Sequence, residues 1–265
     1  MKKLFPFLLI LIIISACSEF NKVLKSDDTE YKKERAIKYY HNQEYLNAAT
    51  LLEDIIPYYK LTPDGEMLYY YYCMSNYYLG DYYLASYYFR RFINQYPNSK
   101  YTEECQFLSA LCSVKNSPEY SLDQTETLNA LDQLQVFVDM YPYSNRIDTC
   151  NLIMDKLNFK LETKDFEASK LYYQTENYKA AVVALEIFLQ KHPKSIYREE
   201  AMYLLVLSRF ELGINSIESK KLKRLEATLK SYRKFADEFP DSKWIKELDN
   251  VKLKTEDAIN SMESN

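Results

Sequence analysis

Glycine and histidine are nearly absent from this chain. Only 3 glycines and 2 histidines occur among 265 residues. Gly65, Gly80 and Gly213 lie far apart, so they cannot assemble a dinucleotide-binding fingerprint or a phosphate-binding loop. His41 falls in a predicted turn, and His192 takes a place that aromatic residues hold in related segments. Neither has a cysteine or carboxylate beside it at metal-ligand spacing. The sequence therefore predicts no metal site, no catalytic residue and no enzyme activity.

An excess of either charge is also missing. The chain has 34 Lys and Arg against 38 Asp and Glu, which gives a net charge of −4, and the two signs are interleaved. Proteins that bind nucleic acid concentrate basic residues on one surface. We therefore expect no nucleic-acid partner.

The cysteines form no CxxC pair. Apart from Cys17, they are Cys73, Cys105, Cys112 and Cys150. Buried free thiols are the favoured interpretation, because no spacing marks a metal or redox motif. A disulfide between neighbouring helices, such as Cys73 with Cys105, is the alternative in an oxidising compartment.

Residues 1–16 have the composition of a secretory signal peptide. Two lysines precede an apolar run from Leu4 to Ile14, and small residues follow it. The run is shorter than the ~20 apolar residues that a membrane-spanning helix needs.

The end of this segment, Ile14-Ser15-Ala16-Cys17, resembles the bacterial lipobox. The resemblance implies cleavage before Cys17 and a covalent N-acyl diacylglycerol on that residue, with acyl chains such as palmitate. Two or three such chains would hold the protein on a membrane. Ser18 after the cysteine is similar to the outer-membrane sorting pattern, which implies a lipid anchor on the periplasmic face. Residues 17–28 are short and polar and predict a lipidated tether. An ordinary signal peptide with an incidental cysteine is the alternative.

What the chain does have is a repeated phrase: Phe, four residues, Pro, one residue, Ser. The phrase occurs four times, and its prolines lie 45, 51 and 47 residues apart. Proline ends a helix and serine caps the next one, so each copy predicts a helix–turn–helix joint. A phrase at this period is typical of a helical solenoid. The copies begin at Phe92, Phe137, Phe188 and Phe235.

The clearest unit runs from Met67 to Ser99 and resembles the tetratricopeptide repeat, with Gly80-Asp81-Tyr82 as its turn and Ala85 at the helix crossing. We predict an all-α solenoid of five such helix pairs plus a C-terminal capping helix from about Trp244 to Ser261. Residues 29–145 would hold three units, and residues 146–262 a long connecting helix and two units. The second helices are expected near 46–59, 82–96, 123–141, 178–192 and 223–239. Pro57 comes early in the first unit and predicts a distorted exit there.

The arrangement resembles the BamD lipoproteins of the β-barrel outer-membrane protein assembly machinery. Besides the lipobox and the repeats, the resemblance rests on Leu161-x3-Asp165-x2-Ala168-Ser169-x2-Tyr172, followed by Asn177-Tyr178-x-Ala180-Ala181. Asp165 and Ser169 depart mildly from the family's Glu and Ala. The resemblance implies a non-catalytic scaffold that binds the barrel assembly subunit BamA through its periplasmic domains. It also implies binding of unfolded outer-membrane proteins.

The first helices of stacked units should line a trough for a peptide. Tyrosine, with 27 residues, suits such a surface because it combines contact area with a polar tip. Packing of the tyrosines between helices is the alternative, favoured for Tyr69, Tyr72 and Tyr82. Seven residues are the predicted trough positions: Lys33, Ile37, Tyr40, Met67, Tyr70, Met74 and Tyr77.

Two other functions stay open at this point. Tetratricopeptide units also occur in cell-envelope adaptors for peptidoglycan or division complexes. Glycan-binding lipoproteins combine a lipid with such repeats as well, but they carry large inserted loops. This chain has one short insertion around Pro118, so that function is the least favoured.

Overall fold

The computed structural model describes residues 19–263, and within that range the chain is helical, with no strand. The predicted all-α fold of successive helix pairs is confirmed. The helices are α1 (Thr29–His41), α2 (Tyr45–Tyr59), α3 (Gly65–Tyr78), α4 (Tyr82–Gln95), α5 (Thr102–Asn116), α6 (Thr125–Met140), α7 (Ile147–Gln174), α8 (Tyr178–Lys191), α9 (Arg198–Ile214), α10 (Glu218–Glu238) and α11 (Ile245–Glu263).

The repeated phrase forms one joint four times. The residue before each proline ends a helix with φ between −123° and −132° and ψ between 60° and 66°. The serine hydroxyl then accepts a hydrogen bond from the backbone N–H two residues later, at 2.9 to 3.2 Å. The serine therefore orders the turn before the next helix instead of capping its first residue. The four serines are Ser99, Ser144, Ser195 and Ser242.

The chain divides into two compact units between residues 155 and 156, within α7. In the first unit, α1 to α6 pack in chain order, and α1 also contacts α3. Its core contains Leu51, Ile55, Phe89 and Phe92, all fully buried. Small residues lie where the helices cross, as the repeat predicts.

The second unit holds the C-terminal part of α7 and helices α8 to α11. Helices α8, α9 and α10 pack in order, and α11 covers both α9 and α10. The core is built from Phe166, Leu185, Phe188 and Phe235. Helix α11 therefore takes the capping position that the sequence predicts, and it runs to Glu263.

The exit of the first helix pair differs from the other four joints. Pro57 lies inside α2, which continues to Tyr59. Gly65 then starts α3 so close to this end that an added Cβ would lie 2.3 Å from the carbonyl oxygen of Tyr59. A glycine is required here because any side chain would collide with backbone.

The segment expected to be a tether is partly folded. Residues 19–24 are helical, Val23 is fully buried, and the Phe20 ring lies 5.9 Å from the Tyr39 ring. The prediction of a polar tether is wrong for these residues, because Phe20, Val23 and Leu24 recur at helical spacing and form an apolar face. Cys17 and the predicted signal peptide, residues 1–16, lie outside the described residues.

The four cysteines of the described chain are free and buried. Burial raises the pKa of the Cys112 thiol to about 12, so the reactive thiolate is scarce at neutral pH. This agrees with the favoured interpretation of buried thiols.

Candidate functional site

Six tyrosine rings form a continuous row in the first unit, along the side where α1 and α3 are neighbours. We call it the tyrosine row. It consists, in spatial order, of Tyr78, Tyr45, Tyr40, Tyr71, Tyr70 and Tyr101.

Three stacked pairs make up the row. The ring centroids of Tyr40 and Tyr71 lie 4.1 Å apart with planes 14° from parallel. Tyr45 stacks on Tyr78 at 4.5 Å, and the third pair, Tyr70 with Tyr101, stacks at 4.3 Å. The pairs are linked at 6.0 and 6.2 Å. These separations fall in or close to the favourable range for aromatic contacts, so the six rings pack against one another as one surface.

Exposure rises along the row from Tyr70 to Tyr78. Tyr70 is 8% exposed, whereas Tyr78 at the other end is 51% exposed. Tyr40, Tyr45 and Tyr71 are half-buried and present part of each ring to solvent. A ligand can therefore reach the end built from Tyr78 to Tyr71, while Tyr70 and Tyr101 support it.

The buried end is held by a carboxylate. The Tyr70 hydroxyl donates to Oε2 of Glu104 at 2.9 Å, and the Arg146 guanidinium donates to Oε1 of the same residue at 3.3 Å. Burial, together with this hydrogen bond, raises the pKa of Tyr70 far above its ordinary value. The hydroxyl therefore stays neutral and remains a donor at any physiological pH.

The structure brings together only two of the predicted trough residues, Tyr40 and Tyr70. Tyr70 is buried and supports the row, so its predicted role as an exposed anchor is corrected. Tyr77 packs against α4, with its ring 5.6 Å from that of Tyr82 and 6.3 Å from that of Phe89. Both corrections have one cause: α3 is flanked by α1, α2 and α4, and Tyr70 also reaches Glu104 of α5, so few positions of α3 reach solvent.

The other four predicted positions are occupied by packing or ion pairs. Met74 is buried, and Ile37 and Met67 are partly buried against the core. The Lys33 ammonium bridges Glu30 at 2.6 Å and Asp64 at 2.8 Å. The hydrogen bond to Asp64, and to a smaller extent the one to Glu30, raises the pKa of Lys33. The ammonium therefore stays charged and keeps both ion pairs.

Sequence reasoning missed the remaining row residues: Tyr45, Tyr71, Tyr78 and Tyr101. The repeat gives no signal for them, because stacked partners do not occupy equivalent places. The turn residues Gln43 and Gly80 set the offset between the first two units at 37 residues, whereas Tyr40 and Tyr71 are 31 residues apart.

The row offers flat apolar ring faces with hydroxyls at their edges. Such a surface suits the side chains of an extended peptide. Within residues 19–263, no group of three His, Cys, Asp or Glu residues has the arrangement of a metal site. None of the helices in that range is both long enough and apolar enough to cross a membrane.

Comparison with known families agrees with this architecture. The YfiO family model, described as outer membrane lipoprotein, matches residues 26–183 and 162–263. The chain belongs to this family, the BamD lipoproteins. A BamD outer membrane protein assembly factor of Caulobacter vibrioides is 26% identical over 131 residues, which cover 49% of this chain and 43% of that protein. The BamD of Rickettsia prowazekii is 24% identical over 185 residues, which cover 70% of this chain and 68% of that protein.

The coverage differs between the two relatives. The aligned region spans less than half of the Caulobacter protein and about two thirds of the Rickettsia protein. Family membership therefore rests on the family model, whose two matches together extend over nearly all described residues.

Proposed function

We propose that this chain is a non-catalytic scaffold of outer-membrane β-barrel assembly. A lipid on Cys17 anchors it to the periplasmic face of the outer membrane. The tyrosine row receives an unfolded barrel protein, and the second unit docks on the periplasmic domains of BamA. The observation that carries this proposal is the tyrosine row in a chain of the BamD family.

The chemistry of the row matches an unfolded barrel strand. Strands of outer-membrane barrels alternate apolar and polar residues and carry aromatic girdles at both ends. An extended segment of this kind, above all the C-terminal one, presents a large apolar side chain at every second residue. The exposed faces of Tyr45 and Tyr78 can pack against such side chains, while their hydroxyls reach the polar peptide backbone.

The second unit supports the docking step with an exposed apolar groove between α7 and α8. The groove is lined by Tyr172, Val183 and Ile187, which are all exposed. Surfaces of this kind usually mark protein interaction sites. We assign this groove to BamA.

A titration tests the peptide part of the proposal. The probe is a peptide with alternating phenylalanine and polar residues, and the comparison is a peptide of equal composition in scrambled order. Tyr45→Ala combined with Tyr78→Ala should weaken binding by about 1–3 kcal/mol, roughly 5- to 150-fold in Kd. The matched control is Tyr58→Ala combined with Tyr83→Ala, which removes two exposed tyrosines outside the row. An equal loss of peptide affinity in both double variants would show that the tyrosine row is not the peptide-binding site.

Depletion and affinity capture test the cellular part. Depletion of the chain should lower folded outer-membrane barrels across many substrates, and unchanged levels would refute the assembly function. Captured chain should carry BamA in stoichiometric amounts. Division or peptidoglycan proteins in its place would support the cell-envelope adaptor instead.

A further inference from the structure

A second aromatic site lies on the opposite face of α3 from the tyrosine row. It is a cavity of about 340 Å³ between α2, α3 and α4, and we call it the tyrosine pocket. Tyr69 and Tyr72 of α3 and Tyr88 of α4 form its walls, and Ile56 of α2 lines it as well. Helical periodicity separates Tyr69 and Tyr72 from the row residues of the same helix by roughly half a turn.

The pocket walls are fixed by their own contacts. The rings of Tyr72 and Tyr88 meet edge to face at 4.6 Å, and Tyr69 lies 6.4 Å from Tyr88. Tyr69 and Tyr72 are each 4% exposed. The cavity is thus a preformed space between packed rings, large enough for one aromatic side chain.

Three charged residues line the same pocket: Glu53, Lys60 and Arg91. Arg91 donates to the Tyr87 hydroxyl at 3.5 Å and lies over the Tyr87 ring at 5.7 Å. In the described chain, none of the three takes part in a salt bridge. Two cations against one carboxylate leave this pocket with an unneutralised positive charge.

The second unit contains the equivalent pocket, between α8, α9 and α10, with a volume of about 210 Å³. Its residues follow from the repeat. Glu53, Ile56, Tyr69 and Tyr72 have counterparts 133 residues later, and Tyr88 and Arg91 have counterparts 143 residues later. Those counterparts all line the second pocket: Glu186, Leu189, Met202, Leu205, Ser231 and Lys234.

The two pockets differ in what neutralises the acidic residue. In the second unit, Arg209 pairs with Glu186 and also donates to Ser231. The position of Arg209 corresponds to Asn76 in the first unit, and Asn76 donates its amide N–H to the carbonyl oxygen of Tyr72 at 2.8 Å. The acidic residue is therefore paired by a lining arginine in the second pocket, whereas no arginine takes that place in the first. A basic residue that forms no salt bridge within the described chain, Arg91 or Lys234, lines each pocket.

We propose that the tyrosine pocket binds a partner protein by an aromatic side chain that has an acidic residue next to it. The aromatic ring fills the space between Tyr69, Tyr72 and Tyr88, because edge-to-face contacts are available on three sides. The neighbouring carboxylate pairs with Arg91 and Lys60, which carry the uncompensated charge. This site is separate from the tyrosine row and goes beyond the proposed function.

Capped peptides test the proposal. Binding of Ac-Ser-Phe-Asp-Ser-NH2 to the full mature chain in detergent micelles is measured by ligand-observed NMR. Peptides with Phe→Ala or Asp→Lys serve as comparisons. We expect the Phe-Asp peptide to bind at least fivefold more tightly than either one. Equal affinities for the Asp and Lys peptides would overturn the proposal.

Variants locate the binding site. Arg91→Glu and Lys60→Glu change exposed residues, and each should weaken binding of the Phe-Asp peptide at least fivefold. Lys234→Glu is the matched control at the equivalent place of the second unit and should leave affinity unchanged. The Tyr45→Ala, Tyr78→Ala double variant should also bind normally, which separates this site from the row. Loss of binding in the Lys234 control or unchanged binding in the Arg91 variant would each refute the pocket assignment.

Discussion

Truncation of Tyr70 should destabilise the first unit far more than truncation of Tyr78, although both belong to the tyrosine row. Tyr70→Ala removes a ring that is 8% exposed, its stack on Tyr101 and its hydrogen bond to Glu104. Loss of a buried aromatic side chain costs about 3–5 kcal/mol. The Tyr78 ring is half exposed, so Tyr78→Ala should cost about 0.5 kcal/mol or little more.

The isosteric variant Tyr70→Phe separates the contribution of the hydroxyl from that of the ring in the stability lost in Tyr70→Ala. It keeps the ring and removes only the hydroxyl, whose hydrogen bond contributes about 1 kcal/mol. Glu104 keeps its ion pair with Arg146 at 3.3 Å, and its side chain is 38% exposed, so its carboxylate is not stranded. The ring itself should then account for roughly 2–4 kcal/mol of the Tyr70→Ala effect.

The assay must separate the two compact units, because a single transition cannot be assumed. Trp244 is the only tryptophan, and it stacks on Tyr203 in the second unit at 4.8 Å. Its fluorescence during urea unfolding reports the second unit. Near-UV circular dichroism reports mainly the tyrosine-rich first unit. If Tyr70→Ala lowers the free energy of unfolding no more than Tyr78→Ala does, the assignment of Tyr70 as a buried support is refuted.

Three further predictions concern the turn, the anchor and pH. Gly65→Ala should lower the melting temperature sharply, because its Cβ would lie 2.3 Å from a carbonyl oxygen; Gly80→Ala, with open space but φ +81°, should cost only the ~1–2 kcal/mol of a left-handed residue. Cys17→Ala should leave the helical circular dichroism unchanged and release the chain from membranes in fractionation; retention in the outer membrane would make the lipid redundant. Hydrogen bonding to Arg198 lowers the pKa of Glu238, so its stabilisation is present above the ordinary carboxyl pKa and is lost as the pH falls through the lowered value. Glu238→Gln should remove that part of the acid dependence in unfolding titrations.

The repeat architecture could be predicted because its signals are local. Proline and serine act within a few residues of their own positions, so the four joints follow from the phrase alone. Pro57 was harder to interpret, because its effect depends on whether the preceding helix can continue past it. The short, polar composition of residues 17–28 predicts a tether, yet Val23 is buried in the core of the first unit.

The candidate site is harder to predict from sequence, because the exposure of a side chain depends on neighbours that are distant in sequence. Tyr69, Tyr70, Tyr71 and Tyr72 are consecutive, and helical periodicity sends them to different surroundings. Tyr70 and Tyr71 enter the tyrosine row, whereas Tyr69 and Tyr72 enter the tyrosine pocket. Composition shows that tyrosine is abundant, but only the packing of α1, α2 and α4 around α3 separates the two roles.

The comparison of the two units shows how a repeat acquires different sites without a change of fold. The acidic residue recurs as Glu53 and Glu186, and the basic residue recurs as Arg91 and Lys234. One further position differs, since Arg209 lines its pocket and pairs with Glu186, and Asn76 cannot form such a pair. Burial of an unpaired charge is costly, and in the first unit Glu53, Lys60 and Arg91 are all exposed, so the two cations stay near solvent, where a partner's carboxylate can pair with them. On this argument Asn76→Arg should place a guanidinium beside Glu53 and fill part of the first pocket, as Arg209 does in the smaller second pocket, and so weaken binding of the Phe-Asp peptide while the tyrosine row keeps its affinity.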